Sequence, residues 1–373
     1  MAYFFGTIGP RDDAYPGLMQ IVTLIPGDGI GPEVSEATRR VVDALDCGIE
    51  WEVHTAGLTA IETHGTPLPD HVIESIVRNK VAVKGPVTTP VGSGFRSINV
   101  ALRRDLDLFA SVRPCRLYPG VDSRFDSIDI VVIRENTEDL YEGIEFEQGS
   151  PEQKKLRGYL KYMHGYSLAA DAGVSIKPIS VSASRAIVQF AFDFAKRQRR
   201  RKVTLGHKAN IMKFSDGVWL ETGERLAIDY REVGFEAIQV DELAMGLAWI
   251  PNDFDVIVLP NLYGDIVSDL CAGLVGGLGL APGMNIGLDY AVFEPTHGSA
   301  PDIAGRGLAN PIAMILSAVH MLRHVRMSSP ASSLERAVEK VLADGRHRTA
   351  DLRPLGEPAT TDEVANAIIE ALG

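Results

Sequence analysis

Residues 254–274 read FDVIVLPNLYGDIVSDLCAGL. The run Phe254–Leu259 is apolar and rich in β-branched residues, which is typical of a buried strand. The segment Tyr263–Leu274 has the length and composition of a helix. A strand that leads into a helix is the repeating element of α/β proteins, so this stretch predicts one unit of such a fold.

The same alternation extends outward in both directions along the chain. Six more short β-branched runs are predicted to be strands: Ile21–Ile25, Val81–Lys84, Leu108–Arg113, Ile128–Ile133, Lys202–Leu205 and Ala237–Val240. The helices between them include Asp70–Arg78, Ser184–Gln198 and Asn310–Val325, the last with Asn310 as N-cap and Pro311 at its first position. This pattern predicts the α/β class. The polar segment Gly143–Ser180 breaks the alternation and is expected to form an arm or a subunit-exchanging hairpin.

Length and composition exclude several classes of protein. At roughly 150 residues per domain, 373 residues predict about two domains. With 45% apolar and 23% charged residues, the chain is neither disordered, collagen-like nor a coiled coil. No membrane span is expected, because the longest uncharged stretch, Leu270–Leu288, carries six glycines and Pro282.

The charge balance argues against a nucleic-acid partner. Thirty-seven basic and 49 acidic side chains give a net charge of 37 − 49 = −12. The one cationic run, Lys196–Lys202, closes an apolar helix, where cations meet the negative end of the helix dipole. Three cysteines without metal-ligand spacing, and an N-terminus without a secretory signal, predict a reducing, cytoplasmic location.

Two parts of the sequence could bind a metal or a nucleotide. Asp265 and Asp269 fall on one face of the predicted helix, and a hard divalent cation such as Mg²⁺ or Mn²⁺ would relieve their repulsion. The glycine-rich segments 27–31, 92–94 and 297–305 permit close backbone approach to a phosphate or cofactor, although none matches the Rossmann GxGxxG motif.

Six long motifs carry a resemblance to a known family. They are IPGDGIGPEV at 25–34, SINVALRRDLDLFASVRP at 97–114, IRENTEDLYEGIE at 133–145, HKANIMKF at 207–214, NLYGDIVSDL at 261–270 and FEPTHGSAPDIAGRGLANP at 293–311. Together they resemble the β-decarboxylating dehydrogenases, which include isocitrate, isopropylmalate and homoisocitrate dehydrogenases, and most of all the NAD-dependent isocitrate dehydrogenases. The resemblance runs from about residue 20 to the C-terminus.

The resemblance implies a two-domain isocitrate/isopropylmalate dehydrogenase-like α/β fold and a homodimer with shared active sites. The large, cofactor-side domain would comprise residues 1–109 and 276–373. The small domain would comprise residues 110–275, with residues 143–180 as an arm that clasps the partner subunit.

The reaction implied is oxidation of isocitrate by NAD, followed by loss of its β-carboxylate as CO₂ to give 2-oxoglutarate. A divalent cation would supply polarisation of the new carbonyl, which is the electron sink for decarboxylation. By the same resemblance the metal ligands are Asp265 and Asp269 with the partner subunit's Asp241. The acid/base pair is Tyr141 with the partner subunit's Lys208, which can accept a proton only if its pKa is lowered.

The resemblance also assigns binding residues. Arg103, Arg113 and Arg134 would clamp the substrate carboxylates with planar guanidinium groups. Cofactor contacts are expected from Thr89, Asn210, Glu294, His297, Gly298, Ser299, Ala300, Asp302, Ile303 and Asn310. Asp302 favours NAD, since a carboxylate can accept ribose hydroxyls but repels the 2′-phosphate of NADP.

Ser97 and Asn99 are expected to read the group on the β-carbon of the substrate. A hydroxyl and an amide near a helix N-terminus suit a carboxylate better than an isopropyl group. The alternatives are a homoisocitrate, 3-isopropylmalate, tartrate or malate dehydrogenase, and a non-catalytic regulatory subunit, which would be expected to lack some of these side chains.

Overall fold

The computed structural model describes residues 19–88, 97–354 and 356–373. The strands of these residues are β1 Gln20–Ile25, β2 Ile49–Val53, β3 Val81–Lys84, β4 Ala110–Arg116, β5 Asp129–Glu135, β6 Glu145–Phe146, β7 Val174–Ser175, β8 Lys202–His207, β9 Gly234–Gln239, β10 Val256–Leu259, β11 Pro282–Ile286 and β12 Ala291–Pro295. The helices are α1 Gly31–Asp43, α2 Leu58–His64, α3 Asp70–Asn79, α4 Ile98–Asp105, α5 Pro151–His164, α6 Val181–Arg197, α7 Ser215–Ala227, α8 Val240–Trp249, α9 Asn261–Leu274, α10 Ile312–His324, α11 Ser328–Asp344 and α12 Thr361–Leu372.

Ten of these strands form one mixed sheet in the order β2-β1-β3-β12-β11-β4-β5-β10-β8-β9. Strand β11 is antiparallel to both β12 and β4, and β4 is antiparallel to β5. The strands on either side of this centre run in two parallel blocks. Strand β10, sequence VIVL, is buried along its whole length, as expected for a parallel strand covered on both faces.

Helix α10 lies at the centre of the larger apolar core. Ten of its thirteen residues are buried, and it packs against β11, β12, α1 and α11. An all-round apolar helix is stable only when protein surrounds it, so α10 ties the helical layer to the sheet. The helix begins one residue later than predicted, with Pro311 rather than Asn310 at the N-cap position. The Asn310 side-chain oxygen accepts a 3.0 Å hydrogen bond from the Ile312 N–H just before the first turn.

The α/β class predicted from the sequence is confirmed, and all seven predicted strands are present. Three strands of the large sheet were not predicted: β2, β11 and β12. Strand β2, sequence IEWEV, is an edge strand with alternating acidic residues, and β11 begins with Pro-Gly, which usually indicates a turn. Pairing with β4 and β12 on its two sides makes β11 a strand despite that local signal.

Segment 143–180 lies outside the large sheet. Strands β6 and β7 pair with each other as a separate two-stranded sheet, and only Gln153 of α5 is buried.

The cationic run Lys196–Lys202 does close α6, as predicted. It is not simply solvated, because Arg200 pairs with Asp129 at 2.8 Å and with Asp255 at 3.1 Å. In the described ranges, no helix is both long and apolar enough to cross a lipid bilayer.

The order of the strands determines which residues meet. Strands β5, β10, β8 and β9 are parallel neighbours, so their carboxyl ends lie along one edge of the sheet. That edge carries Arg134 near the end of β5, helix α9 after β10, Lys208 after β8 and Asp241 at the start of α8 after β9. The sheet also divides at the β11–β4 pair into five strands from each predicted domain, although the domain boundary stays a prediction.

Candidate active site

Helix α9 presents its two aspartates to a pair of arginines from the neighbouring strands β4 and β5. Arg113 lies 3.3 Å from Asp265 and 3.4 Å from Asp269, and it donates a 2.6 Å hydrogen bond to the hydroxyl of Ser268. Arg134 forms an ion pair with Asp265 and donates hydrogen bonds of 2.7 and 3.0 Å to Asn261. The predicted metal-binding face and two members of the predicted carboxylate clamp are therefore adjacent.

The guanidinium groups of Arg103, Arg113 and Arg134 are all buried and close enough to repel one another. Arg134 is only 1% exposed. Burial, followed by the charges of Arg113 and Arg103, lowers the pKa of Arg134 to about 9, and burial likewise lowers the pKa of Arg103. Since removal of charge from water costs energy unless it is compensated, this cluster is suited to a multiply charged anion.

A cavity of about 130 Å³ lies beside the clamp. Its lining combines α4, the end of β3 and the segment after β12, and includes Lys84, Asn99, Arg103, Arg113, Glu294 and His297. Three buried polar atoms among these residues have no hydrogen-bond partner within the described protein: Asn99 Oδ1, Arg103 Nε and His297 Nε2. Buried polar groups are almost always paired, so three such groups at one cavity indicate a polar ligand.

Lys84 is a member of this site that the sequence analysis missed. It is 2% exposed and lies 2.5 Å from Glu294, which Arg103 approaches to 3.8 Å. Against the cost of burial, these cations and an Asn285 hydrogen bond lower the pKa of Glu294 to about 2. The available signal was a lysine at the end of the otherwise apolar strand VAVK, which is an expensive residue to bury without a partner.

Glu294, predicted to contact the cofactor, is thus committed to a buried ion pair beside the substrate clamp. Its carboxylate accepts a 2.7 Å hydrogen bond from Asn285, which in turn accepts one of 3.0 Å from Asn136. This interior network fixes the position of Glu294, because each polar group in it is held by the next.

Ser97 and Asn99 lie at the start of α4, as predicted. Ser97 occupies the N-cap position, but its hydroxyl makes no capping hydrogen bond to the helix. Asn99 faces the cavity rather than solvent, and its carbonyl oxygen is one of the unpaired buried atoms. Both polar side chains are therefore available to a ligand.

Tyr141 lies against the same cluster. Its hydroxyl donates a 2.5 Å hydrogen bond to Asp265, and its ring centre is 4.7 Å from the Arg134 guanidinium. Burial and the Asp265 carboxylate raise the pKa of Tyr141, so the phenol stays protonated at neutral pH. A protonated phenol beside a cationic anion site can donate a proton to a developing carbanion or enolate.

Lys208 and Asp241 form a separate pair at the same sheet edge. They make an ion pair with each other, and the Asp241 side chain is 66% exposed. No hydrogen bond or ion pair joins this pair to Tyr141 or Asp265 in the portion of the chain that the structure describes. Asn210 lies with Lys208 on the loop after β8 and is exposed.

The segment 296–303 follows β12 and packs on the first glycine loop. The Ile30 N–H donates to the Ser299 carbonyl at 2.9 Å, and the hydroxyls of Thr88 and Ser299 are 2.6 Å apart. A Cβ at Gly29 would lie 2.0 Å from the Ser299 oxygen, so only glycine permits this approach. Loop 27–31 thus supports the segment that carries His297 to Ile303, and its contact with a phosphate stays a prediction.

The remaining predicted cofactor residues differ in their exposure and in whether their side chains already have hydrogen-bond partners. Gly298 and Asp302 are exposed, Ile303 is half-buried, and Ala300 has the left-handed φ of 37° that is uncommon without glycine. Asn310 is buried and already engaged, since its side chain accepts a hydrogen bond from the Ile312 N–H and donates one of 3.0 Å to Asp351. Thr89 and the glycines of segment 92–94 lie outside the described residues.

Asp265 and Asp269 have some of the features that a site for the implied divalent cation requires. In the described ranges, no group of three or more His, Cys, Asp or Glu side chains could hold a metal ion. Asp265 and Asp269 nevertheless project from one helix face, and burial raises the pKa of Asp269, as expected for a carboxylate that lacks a full complement of cations. Two carboxylates with exposed oxygens fit a hard divalent cation if further ligands come from the substrate and another chain.

Comparison with known proteins agrees with this geometry. The family model described as isocitrate/isopropylmalate dehydrogenase matches residues 21–368. The probable alpha chain of the mitochondrial NAD isocitrate dehydrogenase of Drosophila melanogaster is 44% identical over 94% of this chain and 87% of its own length. A regulatory chain of the mitochondrial NAD isocitrate dehydrogenase of Dictyostelium discoideum is 45% identical over 95% of this chain and 93% of its own length.

A relative of different specificity is about as similar. The chloroplastic 3-isopropylmalate dehydrogenase of Solanum tuberosum is 44% identical over 87% of this chain and 85% of its own length. Among solved structures, isocitrate dehydrogenase from Methylococcus capsulatus has a TM-score of 0.87 and 45% identity, covering 95% of this chain and 99% of that chain. Similarity at this level leaves the substrate to be decided by individual residues of the site.

Proposed function

This chain belongs to the isocitrate/isopropylmalate dehydrogenase family, and we propose that it catalyses the oxidative decarboxylation of isocitrate to 2-oxoglutarate and CO₂ with NAD as oxidant. The observation that carries the proposal is the cavity beside α4, where buried cations and unpaired polar atoms converge.

The charge balance of the cavity suits a polycarboxylate. In and beside the cavity, four buried cations, Lys84, Arg103, Arg113 and Arg134, face three carboxylates, Glu294, Asp265 and Asp269, so the excess is 4 − 3 = +1. In the free protein Asp265 neutralises two of the arginines. A substrate carboxylate that competes for those guanidinium groups would release Asp265 for other contacts, since each fork can bind a carboxylate in bidentate geometry.

Asn99 and Ser97 favour isocitrate over 3-isopropylmalate. An isopropyl group would leave the Ser97 hydroxyl and the Asn99 side-chain N–H groups without an acceptor, at a cost of about 1–3 kcal/mol for each one that is buried. A carboxylate instead accepts hydrogen bonds from the Ser97 hydroxyl and the Asn99 amide nitrogen. Homoisocitrate, with one more methylene, is the nearest competitor, because pockets discriminate single methylenes weakly.

The acid/base groups are proposed to come from two subunits of a homodimer. Tyr141 holds a proton beside the substrate site, while Lys208 of the same chain is paired with Asp241 instead. The surface next to these groups supports an interface, because Phe214 near Lys208 is 92% exposed and Ile266 beside Asp265 is 61% exposed. A second copy would cover these apolar side chains and supply the partner subunit's Lys208 to Tyr141.

Asp265 and Asp269, with the partner subunit's Asp241, would hold Mg²⁺ or Mn²⁺. The cation would supply charge stabilisation at the substrate hydroxyl and carboxylate oxygens. The segment 297–303 would bind NAD, with the unpaired His297 Nε2 directed to the cavity and Asp302 at the exposed turn. From the cysteine usage, we also propose a cytoplasmic location.

A substrate panel tests the proposal. The purified chain should be assayed with isocitrate, homoisocitrate, 3-isopropylmalate, malate and tartrate, each with NAD and NADP, in the presence of Mn²⁺ and of a chelator. We expect isocitrate with NAD and metal to give the highest kcat/KM, and the chelator to abolish turnover.

Two results would contradict the proposal. A higher kcat/KM with 3-isopropylmalate would show that the α4 assignment is wrong. Tight isocitrate binding without turnover of any substrate would instead support the regulatory-subunit alternative, which the Dictyostelium relative keeps relevant. The intact Tyr141, Lys208, Asp265 and Asp269 argue against that alternative.

A further inference from the structure

A buried ion cluster lies between the segments that carry the two acid/base residues. Lys177, on the return of the arm, donates a 2.5 Å hydrogen bond to Asp216 and lies 3.9 Å from Asp139. Its ammonium also stands 4.6 Å from the centre of the Tyr263 ring. Both carboxylates are fully buried and the Lys177 side chain is 12% exposed, so one ammonium compensates two interior carboxylates.

One of these carboxylates holds the loop of Lys208. While one Asp216 oxygen pairs with Lys177, the other accepts a 2.7 Å hydrogen bond from the Lys208 backbone N–H. Asp216 belongs to the first turn of α7, so the bond fixes the start of the lysine loop against that helix.

The other carboxylate holds the site of Tyr141. One Asp139 oxygen accepts a 2.9 Å hydrogen bond from the Leu262 N–H in the first turn of α9, the helix of Asp265. The other oxygen accepts a 2.8 Å bond from the Leu140 N–H. Asp139 itself has a left-handed φ of 72° and opens the short 3₁₀ helix that contains Tyr141.

The arm reaches this cluster through its backbone as well. The Asp139 N–H donates a 3.1 Å hydrogen bond to the Pro178 carbonyl, and the Ser180 N–H donates one of 2.8 Å to Glu138. The segment around Lys177 is therefore attached to the Tyr141 turn at Asp139 and at the preceding Glu138. A strained turn of this kind persists only where several contacts determine it.

We propose that Lys177 is a positioning residue that aligns Tyr141 and α9 on one side and Lys208 on the other. The inference rests on the proposed function, under which Tyr141 serves its own site and Lys208 serves the partner's. One Lys177 side chain then supports both active sites of the dimer. It touches neither substrate nor cofactor and acts through Asp139 and Asp216.

The first test compares Lys177→Met and Lys177→Arg with Lys340→Met, the same substitution at an exposed surface lysine. We expect Lys177→Met to lower kcat by about 10²-fold through misalignment of the reacting groups while KM stays nearly unchanged, because the arginine clamp is not touched. Lys177→Arg should recover most of that loss, and Lys340→Met should match the wild type.

Hybrid dimers test whether Lys177 supports both active sites of the dimer or only one of them. A dimer of one wild-type and one Lys177→Met chain should have both sites impaired, and so retain well under half of the wild-type activity. Retention of about half would show that Lys177 serves a single site and would overturn the proposal. If Lys177→Met lowers the thermal stability together with kcat, and Lys177→Arg restores neither, Lys177 has a purely structural role. That result would also overturn the proposal.

Hydrogen exchange makes the test independent of the substrate assignment. Amide exchange at Lys208 and Leu262 should accelerate in Lys177→Met but not in Lys340→Met, since these two N–H groups donate to the carboxylates that Lys177 compensates. Unchanged exchange would contradict the positioning role even if isocitrate is the substrate. Accelerated exchange in a protein that does not oxidise isocitrate would refute the proposed function alone.

Discussion

The hydroxyl of Tyr141 donates a 2.5 Å hydrogen bond to Asp265, a residue that also pairs with Arg113 and Arg134. One carboxylate thus links the proposed proton donor, the proposed substrate clamp and the helix proposed to bind the metal. Binding of substrate to the two arginines would therefore also alter the contacts of Asp265 with Tyr141 and with a metal ion, because one carboxylate cannot hold every partner at once.

Tyr141→Phe tests the proton-donor role. Because burial and Asp265 raise the pKa of the phenol, it carries its proton throughout the neutral range and can donate it during turnover. We expect the variant to lose about 10²–10⁴-fold in kcat, as is typical for removal of a general acid, with KM nearly unchanged. Tyr159→Phe on the exposed arm helix is the matched control. A loss confined to KM would indicate that Tyr141 binds substrate instead.

Shared active sites predict complementation between inactive chains. Lys208→Ala and Asp265→Asn should each inactivate the homodimer. A hybrid of the two has one site with neither substitution, so it should regain about half of the wild-type activity per hybrid dimer. Turnover measured after confirmed subunit exchange checks this expectation. Absence of rescue in hybrids of verified composition would place Lys208 and Asp265 in the same site of one chain.

Ser97→Asp tests the assignment of the α4 N-terminus. A negative charge at this position should repel the outer carboxylate of isocitrate and reduce its kcat/KM to near background, while the fold is retained. Ser328→Asp, at the exposed start of α11, introduces the same charge at another helix N-terminus and should have no effect on turnover. Full isocitrate activity in Ser97→Asp, with correct folding by circular dichroism, would refute the assignment.

The acid stability of the protein should depend on Glu294. Its pKa is lowered from 4.5 to about 2 in the folded state, so its ionisation stabilises the protein fully above pH 4.5, and that contribution is lost as the pH falls towards 2. At pH 3.5 the loss is on the order of 1 kcal/mol. Denaturant unfolding of wild type and Glu294→Gln should therefore show a stability difference that narrows by about this amount between pH 6 and pH 3.5. A constant difference would contradict the buried ion pair with Lys84.

The sequence predicted the parts of this site that lie within continuous motifs. Arg134, Tyr141, Asp265 and Asp269 fall in two such motifs, and strands β5 and β10 bring them together. Lys84 was not predicted, because its role depends on Glu294, which is distant in sequence and adjacent only through the pairing of β3 with β12.

Other features of the fold depend on contacts between distant segments, which a local sequence pattern does not indicate. Strand β11 has a turn-like sequence and forms through pairing on both sides, which a single-segment analysis cannot detect. The Lys177 cluster joins residues 139, 177 and 216 from three separate segments. The glycines of loop 27–31 did indicate close backbone approach, and the Ser299 carbonyl lies 2.0 Å from where a Cβ at Gly29 would be.

Asp302 should make NAD the preferred cofactor by about 10²-fold in kcat/KM, equivalent to about 2.7 kcal/mol. It lies exposed on the turn after His297, where a carboxylate can accept ribose hydroxyls and repels a 2′-phosphate. Two arginines of the C-terminal segment are engaged elsewhere, since Arg346 pairs with Asp344 at 2.8 Å and the buried Arg348 donates to the Leu342 carbonyl at 3.1 Å. Asp302→Asn removes the repulsion without adding a cation and should raise kcat/KM for NADP modestly, whereas Asp302→Lys should raise it further and lower that for NAD. Comparable kcat/KM for both cofactors in the wild type, or an Asp302→Lys variant with unaltered preference, would mean that the 2′-position of the ribose is recognised elsewhere.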